Sequence, residues 1–282
     1  MGRIQLYYKV LKCCLAAKVV DRADIGNSYD LVSRCYDDQF LKTMQQYNIK
    51  MLSLLPLPEK ARVLDLACGT GFNSWWLLQA HPDYVIDAVD ISEGMLRQAD
   101  RRLDGKANLI RSSALEFLGK SANEQYDLVV CTWALEYQPP IKVLRECSRV
   151  LKQDGQIGVI LNSGQTLPEV RRVYKHLLIE NSSRIEKLML ELPNPKDERH
   201  LDRWLRKAGF CEAQTFRGMH KFSFDSTAEM TDWVTSTGAL AGFDVMADLH
   251  DEEVKKQVSA LFERFGILAI THDFVWGIAR KC

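Results

Sequence analysis

The stretch that decides the fold is Val63–Gly71, which reads VLDLACGTG. A short apolar run with one acid, Asp65, ends at two closely spaced glycines, and the helical pattern of Phe72–Ala80 follows directly. Gly69 and Gly71 permit backbone conformations that are closed to other residues, and they let a ligand approach the main chain closely. We therefore predict a buried strand, a tight glycine turn that binds a ligand, and a helix.

Strands and helices keep alternating beyond this turn. We predict strands over Tyr84–Ile91, Asn108–Ala114, Tyr126–Trp133 and Gln156–Asn162, a helix over Glu93–Leu103 with Ser92 as its N-cap, a helix opened by Pro139 or Pro140, and two late strands over Cys211–Phe224 and Ile267–Ala279. This order predicts an α/β fold, a doubly wound, mostly parallel seven-stranded sheet with helical insertions and an N-terminal helical extension.

Three segments lie outside the alternation. We expect a single domain over residues 1–282, with an N-terminal helical extension and lid over 1–50, a helical insertion over 165–200 and a lid between the last two strands over 225–266. Thr166–Leu192 has a mostly helical pattern, and Ser226–Glu229 is a capping box that starts a further helix.

Composition excludes several classes of function. The 282 residues carry 37 basic and 37 acidic side chains, so no global basic field attracts nucleic acid, and we expect no nucleic-acid partner. The eight cysteines form no CxxC pair and the six histidines are scattered, so we expect no metal site. Cysteines beside apolar runs are typical of reduced core thiols, which favours a cytoplasmic protein.

Two acids define the ligand expected at the glycine turn. Asp90 stands at the tip of the next strand, where a carboxylate suits a ribose diol. Asp65 lies four residues before the first glycine, where it would repel a pyrophosphate but attract an ammonium or sulfonium group. Ser74 stands where a dinucleotide-binding fingerprint would have its third glycine. The pattern favours a zwitterionic amino-acid nucleotide over NAD.

The segment resembles motif I of the class I S-adenosylmethionine-dependent methyltransferases. The resemblance covers roughly Tyr29 to Val159 and includes an acidic ribose motif at Asp90–Ser92, a fourth strand at Tyr126–Val130 and the turn before the fifth strand at Leu151–Gln156. Tyr29-Asp30 and Tyr36-Asp37 are similar to the family's N-terminal cofactor lid. The resemblance implies S-adenosyl-L-methionine as the cofactor of an enzyme.

The same resemblance implies roles for individual residues. Asp65 and the Gly69 backbone would hold the methionyl ammonium group, Asp90 the ribose, Ile91 and Met95 the adenine, and Thr132 would lie beside the methyl group. The cofactor-binding set expected from the sequence is Tyr29, Tyr36, Asp65, Gly69, Thr70, Gly71, Asp90, Ile91, Met95, Ser113, Ala114 and Thr132. Ser113-Ala114 departs from the family's usual Asp-Ala pair, since a serine replaces the acid that bonds the adenine amine.

The acceptor and its base are open at this stage. Glu136 and Tyr137 follow the fourth strand and either contact the substrate or cap and pack the next helix. His220 and His272 lie on the late strands and are either catalytic or ordinary, partly buried histidines. The segment Trp233–Leu240 resembles the lid of trans-aconitate and malonyl-carrier methyltransferases, and the paired Tyr-Asp resembles quinone methyltransferases. We expect transfer to a carboxylate, a phenol or a quinone-like carbon; the alternative is a cofactor-binding scaffold or regulatory protein.

The N-terminal segment Arg3–Val20 is apolar and basic and contains no acid. It lacks the long apolar region and small-residue cleavage site of a signal peptide. Either it packs as a helix on the core or on a second subunit, or it lies in a membrane interface. We therefore expect peripheral membrane contact or homodimerisation through this helix as alternatives.

Overall fold

The computed structural model describes residues 2–282, and their contacts divide the chain into two compact units. Unit 1 contains the chain through Phe40, Thr166–Glu191 and Met219–His272, and unit 2 contains Leu41–Gln165, Leu192–Gly218 and Asp273–Cys282. The three segments expected as an N-terminal extension, an insertion and a late lid all contribute residues to unit 1.

Within the described residues, seven strands form one sheet in the order β3-β2-β1-β4-β5-β7-β6. The strands are β1 (Arg62–Leu66), β2 (Val85–Asp90), β3 (Asn108–Arg111), β4 (Tyr126–Thr132), β5 (Leu151–Asn162), β6 (Phe210–Ser223) and β7 (Ala269–Lys281). The first five pair in parallel, and β7 runs antiparallel to β5. The predicted doubly wound α/β class is therefore confirmed.

Helices alternate with the first five strands and also build most of unit 1. In chain order they are α1 (Gly2–Leu15), α2 (Arg22–Val32), α3 (Lys42–Leu52), α4 (Phe72–Ala80), α5 (Glu93–Leu103), α6 (Ala114–Lys120), α7 (Pro140–Val150), α8 (Pro168–Glu180), α9 (Glu198–Lys207), α10 (Thr227–Ser236) and α11 (Glu252–Arg264). The bounds predicted for α4 and α5 are confirmed, and Ser92 caps α5 by accepting a hydrogen bond from the Met95 amide at 3.0 Å.

The core of unit 2 is apolar on the central strands and the helices that cover them. Leu64 on β1, Val129 on β4 and Ile157 on β5 are fully buried, and Leu144 on α7 and Leu205 on α9 join the same cluster. Burying side chains of this size contributes roughly 1.5–3 kcal/mol each. Because both faces of these strands are covered, the strands have continuous apolar runs instead of alternation.

One ion pair lies at the opposite end of the central strands from the glycine turn. The Asp87 carboxylate accepts hydrogen bonds from Arg62 at 3.0 Å, Asn108 at 3.0 Å and the Tyr126 hydroxyl at 2.8 Å. Burial alone would raise the pKa of Asp87, but the bonds from Asn108, Tyr126 and Arg62 outweigh it and lower that pKa below its ordinary value. These bonds tie β1, β2, β3 and β4 together, so the pairing register of the four strands is specified by polar groups as well as by packing.

Unit 1 has a helical core of its own. Leu177 on α8, Met230 on α10 and Phe262 on α11 are fully buried. The N-terminus of α2 carries a reciprocal cap, in which Asp21 accepts from the Asp24 amide and Asp24 accepts from the Asp21 amide. Such caps contribute about 1 kcal/mol.

Several details differ from the sequence-based expectations, among them that β3 ends at Arg111 and that β5 begins at Leu151. Within Thr166–Leu192, only α8 and the short turn Ser182–Arg184 are helical. At the Ser226 cap the Glu229 carboxylate accepts from the Asp225 amide, so the predicted capping box is displaced by one residue. Cys211 and Cys282 form a disulfide that no cysteine-spacing pattern indicated.

A close approach of β6 and β7 explains why position 218 is a glycine. A Cβ atom at Gly218 would lie 2.3 Å from the ring of Phe274, which is fully buried. We expect Gly218→Ala to lower the free energy of unfolding by about 1–3 kcal/mol, as overpacking does. Urea denaturation measures this, and Gly164→Ala is the matched control, because its Cβ would meet nothing closer than 3.7 Å. Equal stabilities of the two variants would contradict the packing described here.

Candidate cofactor site

The glycine turn leaves open space at one position and is tightly packed at the other. The Gly71 amide donates to the Cys68 carbonyl at 2.9 Å, and both glycines and Ala67 have positive φ angles. A Cβ atom at Gly71 would lie 3.1 Å from Ala99 of α5, whereas a Cβ at Gly69 would meet no atom within 4 Å. Gly71 therefore allows the turn to pack on α5, and Gly69 leaves room for a ligand.

Asp65 is the penultimate residue of β1, and its carboxylate is fully buried. Its Oδ2 accepts from the Ser74 hydroxyl at 2.6 Å and from the Ser74 amide at 3.1 Å. Its Oδ1 has no hydrogen-bond partner among the described residues. Burial raises the pKa of Asp65 to about 6, although the Ser74 hydroxyl, the Asn73 side chain and the Ser74 amide oppose the rise. Ser74 stands where a dinucleotide-binding fingerprint has its third glycine. In this structure its hydroxyl and amide position the Asp65 carboxylate.

Asp90 links the tips of β1 and β2. Its Oδ2 accepts from the Gly69 amide at 2.8 Å, and its Oδ1 accepts from the Ser92 amide at 2.9 Å. The Asp90 carbonyl also accepts from the Ser112 amide at 2.9 Å, which brings the end of β3 to the same edge. The structure therefore places Asp65, Gly69 and Asp90 at the carboxyl ends of neighbouring parallel strands, as the sequence suggested.

The other residues expected around a cofactor follow these strand ends. Met95 is buried in α5 and Ile91 is half-buried before it, while Ser113 is buried at the N-cap of α6 and Ala114 is half-buried. The Arg102 guanidinium donates to the carbonyl and the hydroxyl of Thr70, each at 2.7 Å. Thr70 therefore holds the turn against α5 through a charged hydrogen bond.

A buried amide network at the ends of β1 and β4 was not predicted. The Asn73 side chain donates to the Thr132 hydroxyl at 3.0 Å, and the Asn48 side chain donates to Asn73 Oδ1 at 2.9 Å. The Trp133 indole donates to the Asn48 side chain at 2.9 Å, and Trp133 has a φ of 61°. Non-glycine residues with such angles are concentrated at functional sites. Only the polar Asn48 inside an otherwise apolar face of α3 hinted at this network in the sequence.

Glu136 is a buried carboxyl group of unit 2, in the short 3-10 turn Leu135–Tyr137 after β4. Its Oε1 accepts from the Asn162 side chain at 2.7 Å, while its Oε2 has no partner among the described residues. Burial raises the pKa of Glu136 to about 7. Tyr137 ends the same turn and is half-buried.

The remaining site candidates belong to unit 1. The rings of Tyr29 and Tyr36 are 6.4 Å apart, and a Cβ at Gly238 would lie 2.7 Å from the Tyr29 ring, so the N-terminal and late lid segments meet there. His220 is half-buried beside Phe222, with ring centroids 4.6 Å apart, and burial lowers its pKa.

His272 is buried in unit 1, and the next residue begins the last segment of unit 2. The His272 ring lies 5.6 Å from that of Phe40. Asp273 accepts a hydrogen bond from the Ser163 hydroxyl and a forked one from Arg217, with the shortest guanidinium contact at 2.8 Å. The carboxylate of Asp273 is thus engaged by an arginine.

Comparison with known proteins relates this chain to methyltransferases. Residues 63–155 match a family model described as "Methyltransferase domain". A demethylmenaquinone methyltransferase of Clavibacter sepedonicus is 34% identical over 167 residues, which cover 54% of this chain and 66% of that protein. A malonyl-[acyl-carrier protein] O-methyltransferase of Acetivibrio thermocellus is 28% identical over 67% of this chain and 64% of its own length. The chain thus spans just under two thirds of either relative.

The fold is likewise shared with solved methyltransferase structures. A phosphoethanolamine N-methyltransferase 2 of Haemonchus contortus, solved in complex with S-adenosyl-L-methionine, matches with a TM-score of 0.55 at 16% identity. The match covers 89% of this chain and 57% of that one. At this identity the likeness concerns the fold.

The raised pKa of Glu136 makes stability depend on pH with a defined sign. Because the folded pKa of about 7 lies above the ordinary 4.5, the folded state binds the proton more tightly, and stability is lost as pH rises between those values. We expect the unfolding free energy of the wild type, relative to Glu136→Gln, to fall by about 3 kcal/mol across this range. Urea denaturation at several pH values measures it. Glu116→Gln, which removes an exposed acid, should show no such trend. A flat difference for Glu136→Gln would contradict a buried carboxyl whose Oε2 lacks a hydrogen-bond donor.

Proposed function

We propose that this chain, which belongs to the class I S-adenosylmethionine-dependent methyltransferases, transfers the methyl group of that cofactor to a small-molecule acceptor. The observation that carries the proposal is the unpartnered Oδ1 of Asp65, a fully buried carboxylate oxygen beside a turn with room for a ligand. A buried acceptor without a donor is costly unless a ligand supplies one.

The residues present fit S-adenosyl-L-methionine on two counts. The ammonium group of a methionyl moiety is a donor that would satisfy Asp65 Oδ1, and the open position at Gly69 leaves space for a close approach to the backbone. The Asp90 carboxylate accepts from the Gly69 and Ser92 amides at the tip of β2, and a carboxylate at that strand end suits a ribose diol. NAD fits less well, because its pyrophosphate would meet the carboxylate of Asp65.

The other cofactor roles follow from the strand ends. Ile91 and Met95 would pack on the adenine, and Ser113 with Ala114 would border its amine edge. Thr132 would lie beside the methyl group, with its hydroxyl held by Asn73. Thr70 and Gly71 would shape the turn, and Tyr29 and Tyr36 are proposed as lid residues.

The bound cofactor supplies a sulfonium-activated methyl group. The chain's own contribution is alignment, since holding two reactants in line lowers a barrier by several kcal/mol without any acid or base. The asparagine network supports this role: Asn48 and Asn73 hold the end of β4 by hydrogen bonds to Thr132 and Trp133. Because the end of β4 is fixed, an acceptor bound beside it would approach the methyl group from one direction.

Glu136 is the candidate base for acceptors that must lose a proton. A pKa of about 7 is suited to proton transfer near neutral pH, and its free Oε2 has acceptor capacity. A carboxylate acceptor needs no base, whereas a phenol or a quinone-like carbon acid does. One relative is named for demethylmenaquinone and the other for O-methylation of a malonyl carrier protein. An activity assay should therefore include acceptors of both kinds.

The alternative is a protein that binds the cofactor without transferring its methyl group. Ser113 in place of the usual acid is compatible with it. The intact set of Asp65, Gly69 and Asp90 favours the enzyme, and so does the buried Glu136. A protein that only binds the cofactor does not require a carboxyl group whose pKa is about 7.

Cofactor binding should depend on the ionisation of Asp65. Protonation on going below pH 6 removes the charge that attracts the ammonium, so we expect the affinity for S-adenosylhomocysteine to fall about tenfold from neutral pH to one unit below that pKa. Calorimetric titration measures this. Asp65→Asn should bind more weakly at neutral pH and lose the pH dependence.

The control for this titration is Asp83→Asn, which removes an exposed acid beyond the end of α4. It should behave as the wild type at every pH. Absence of binding by the wild type would overturn the cofactor assignment itself, whereas binding with the same pH dependence in Asp65→Asn would overturn only the role of Asp65.

Methyl transfer should separate acceptors by their need for a base. We expect S-adenosylhomocysteine release with at least one acceptor in a panel of carboxylates, phenols and reduced quinones. With a phenol or quinone acceptor, Glu136→Gln should lower kcat by about 10²–10⁴-fold. With a carboxylate acceptor the variant should stay close to the wild type.

Glu116→Gln is the matched control for the activity assay, since it removes an exposed carboxylate on α6. It should leave every rate unchanged. No release with any acceptor, despite tight cofactor binding, would favour the scaffold. Full activity of Glu136→Gln on a phenol would exclude Glu136 as the base.

A further inference from the structure

Helix α1 has two apolar faces, of which only one is used inside unit 1. Its inner face packs on α8 and on the Ser182–Arg184 turn, and Cys13 is buried there. Its outer face carries five large apolar side chains that are 59–82% exposed: Ile4, Tyr7, Tyr8, Leu11 and Leu15. With 3.6 residues per turn, they fall within an arc of about 100° on the side opposite Cys13.

Basic side chains border this outer stripe. Arg3 and Lys12 are exposed and fall on opposite sides of it, Lys9 is half-buried further round the helix, and Lys18 follows the helix end. No acidic residue occurs before Asp21. Four positive charges therefore surround an apolar stripe about three turns long, with no negative charge in the segment.

We propose that the outer stripe of α1, defined as Ile4, Tyr7, Tyr8, Leu11 and Leu15, lies in the interface of an anionic lipid bilayer. A helix with this arrangement buries its apolar face among acyl chains while its basic residues contact acidic headgroups. Tyr7 and Tyr8 suit the boundary because their rings are apolar and their hydroxyls polar. No helix in residues 2–282 is long and apolar enough to cross the bilayer, so the contact is peripheral.

A bilayer fits this surface better than a second copy of the chain. Two copies joined through α1 would bring two sets of Arg3, Lys9 and Lys12 together with no acid on α1 to pair with them, and like charges at an interface oppose association. Acidic lipids instead neutralise every one of these charges. This contact is independent of the proposed methyl transfer, since it involves only α1 and a lipid surface.

Vesicle sedimentation of the full-length protein tests the proposal without cofactor or acceptor. We expect the wild type to pellet with vesicles of phosphatidylcholine and phosphatidylglycerol, to pellet much less with phosphatidylcholine alone, and to be released by high salt. The Arg3→Gln/Lys12→Gln variant should bind roughly twentyfold more weakly, from about fivefold for each charge. Lys60→Gln/Lys106→Gln, at exposed lysines of unit 2, should bind as the wild type does.

The apolar part is tested by Leu11→Asn/Leu15→Asn, which should weaken binding at least about tenfold. Leu190→Asn/Leu268→Asn is the matched control, because these leucines of unit 1 are 57% and 48% exposed. Circular dichroism melting checks that each variant is folded, and the wild-type comparison of the two vesicle types needs no variant at all.

Three outcomes would overturn the proposal. One is equal binding of the wild type to neutral and acidic vesicles. Another is equal loss of binding in the α1 pair and its control pair. The third is a wild type that does not bind vesicles but sediments as a dimer, together with a Leu11→Asn/Leu15→Asn variant that sediments as a monomer. The stripe would then join two copies of the chain.

Discussion

Two carboxylates that accept hydrogen bonds from main-chain amides hold the glycine turn of unit 2 in place. Asp65 accepts from the first turn of α4, and Asp90 accepts from the Gly69 amide inside the glycine turn. Each bond joins the tip of one strand to the next element, so strand β1, the turn, α4 and β2 move as one piece. Without them the turn would be free to relax toward less demanding backbone angles than the positive φ of Ala67.

Much of this was accessible from the sequence. The glycine turn, Asp65 and Asp90 indicated the fold, the cofactor class and the edge of the sheet, because their spacing is a local property of strand, turn and helix. The role of Ser74 in positioning Asp65 was not predicted, since it depends on a hydrogen bond to a side chain nine residues earlier. The Asn48 network and the Cys211–Cys282 bond join distant parts of the chain, separated by 84 residues for Asn48 and Thr132 and by 71 for the cysteines, and no local pattern encodes such pairs.

The buried acids show a tension between stability and chemistry. Asp65 and Glu136 each keep one carboxylate oxygen without a partner, and burial raises the pKa values of both. A chain selected only for stability would fill these positions with apolar groups or supply a donor. Their persistence in the site is consistent with groups whose missing partner arrives with a ligand, and the cost of burying them is then recovered on binding.

The disulfide has a topological effect that its position near the end of the chain conceals. Cys211 and Cys282 both lie in unit 2, yet the chain between them includes the whole of Met219–His272, which belongs to unit 1. That segment is therefore part of a covalent ring. A protease that cuts the ring once, anywhere inside it, releases no fragment, and the two pieces stay covalently joined until a reductant breaks the disulfide.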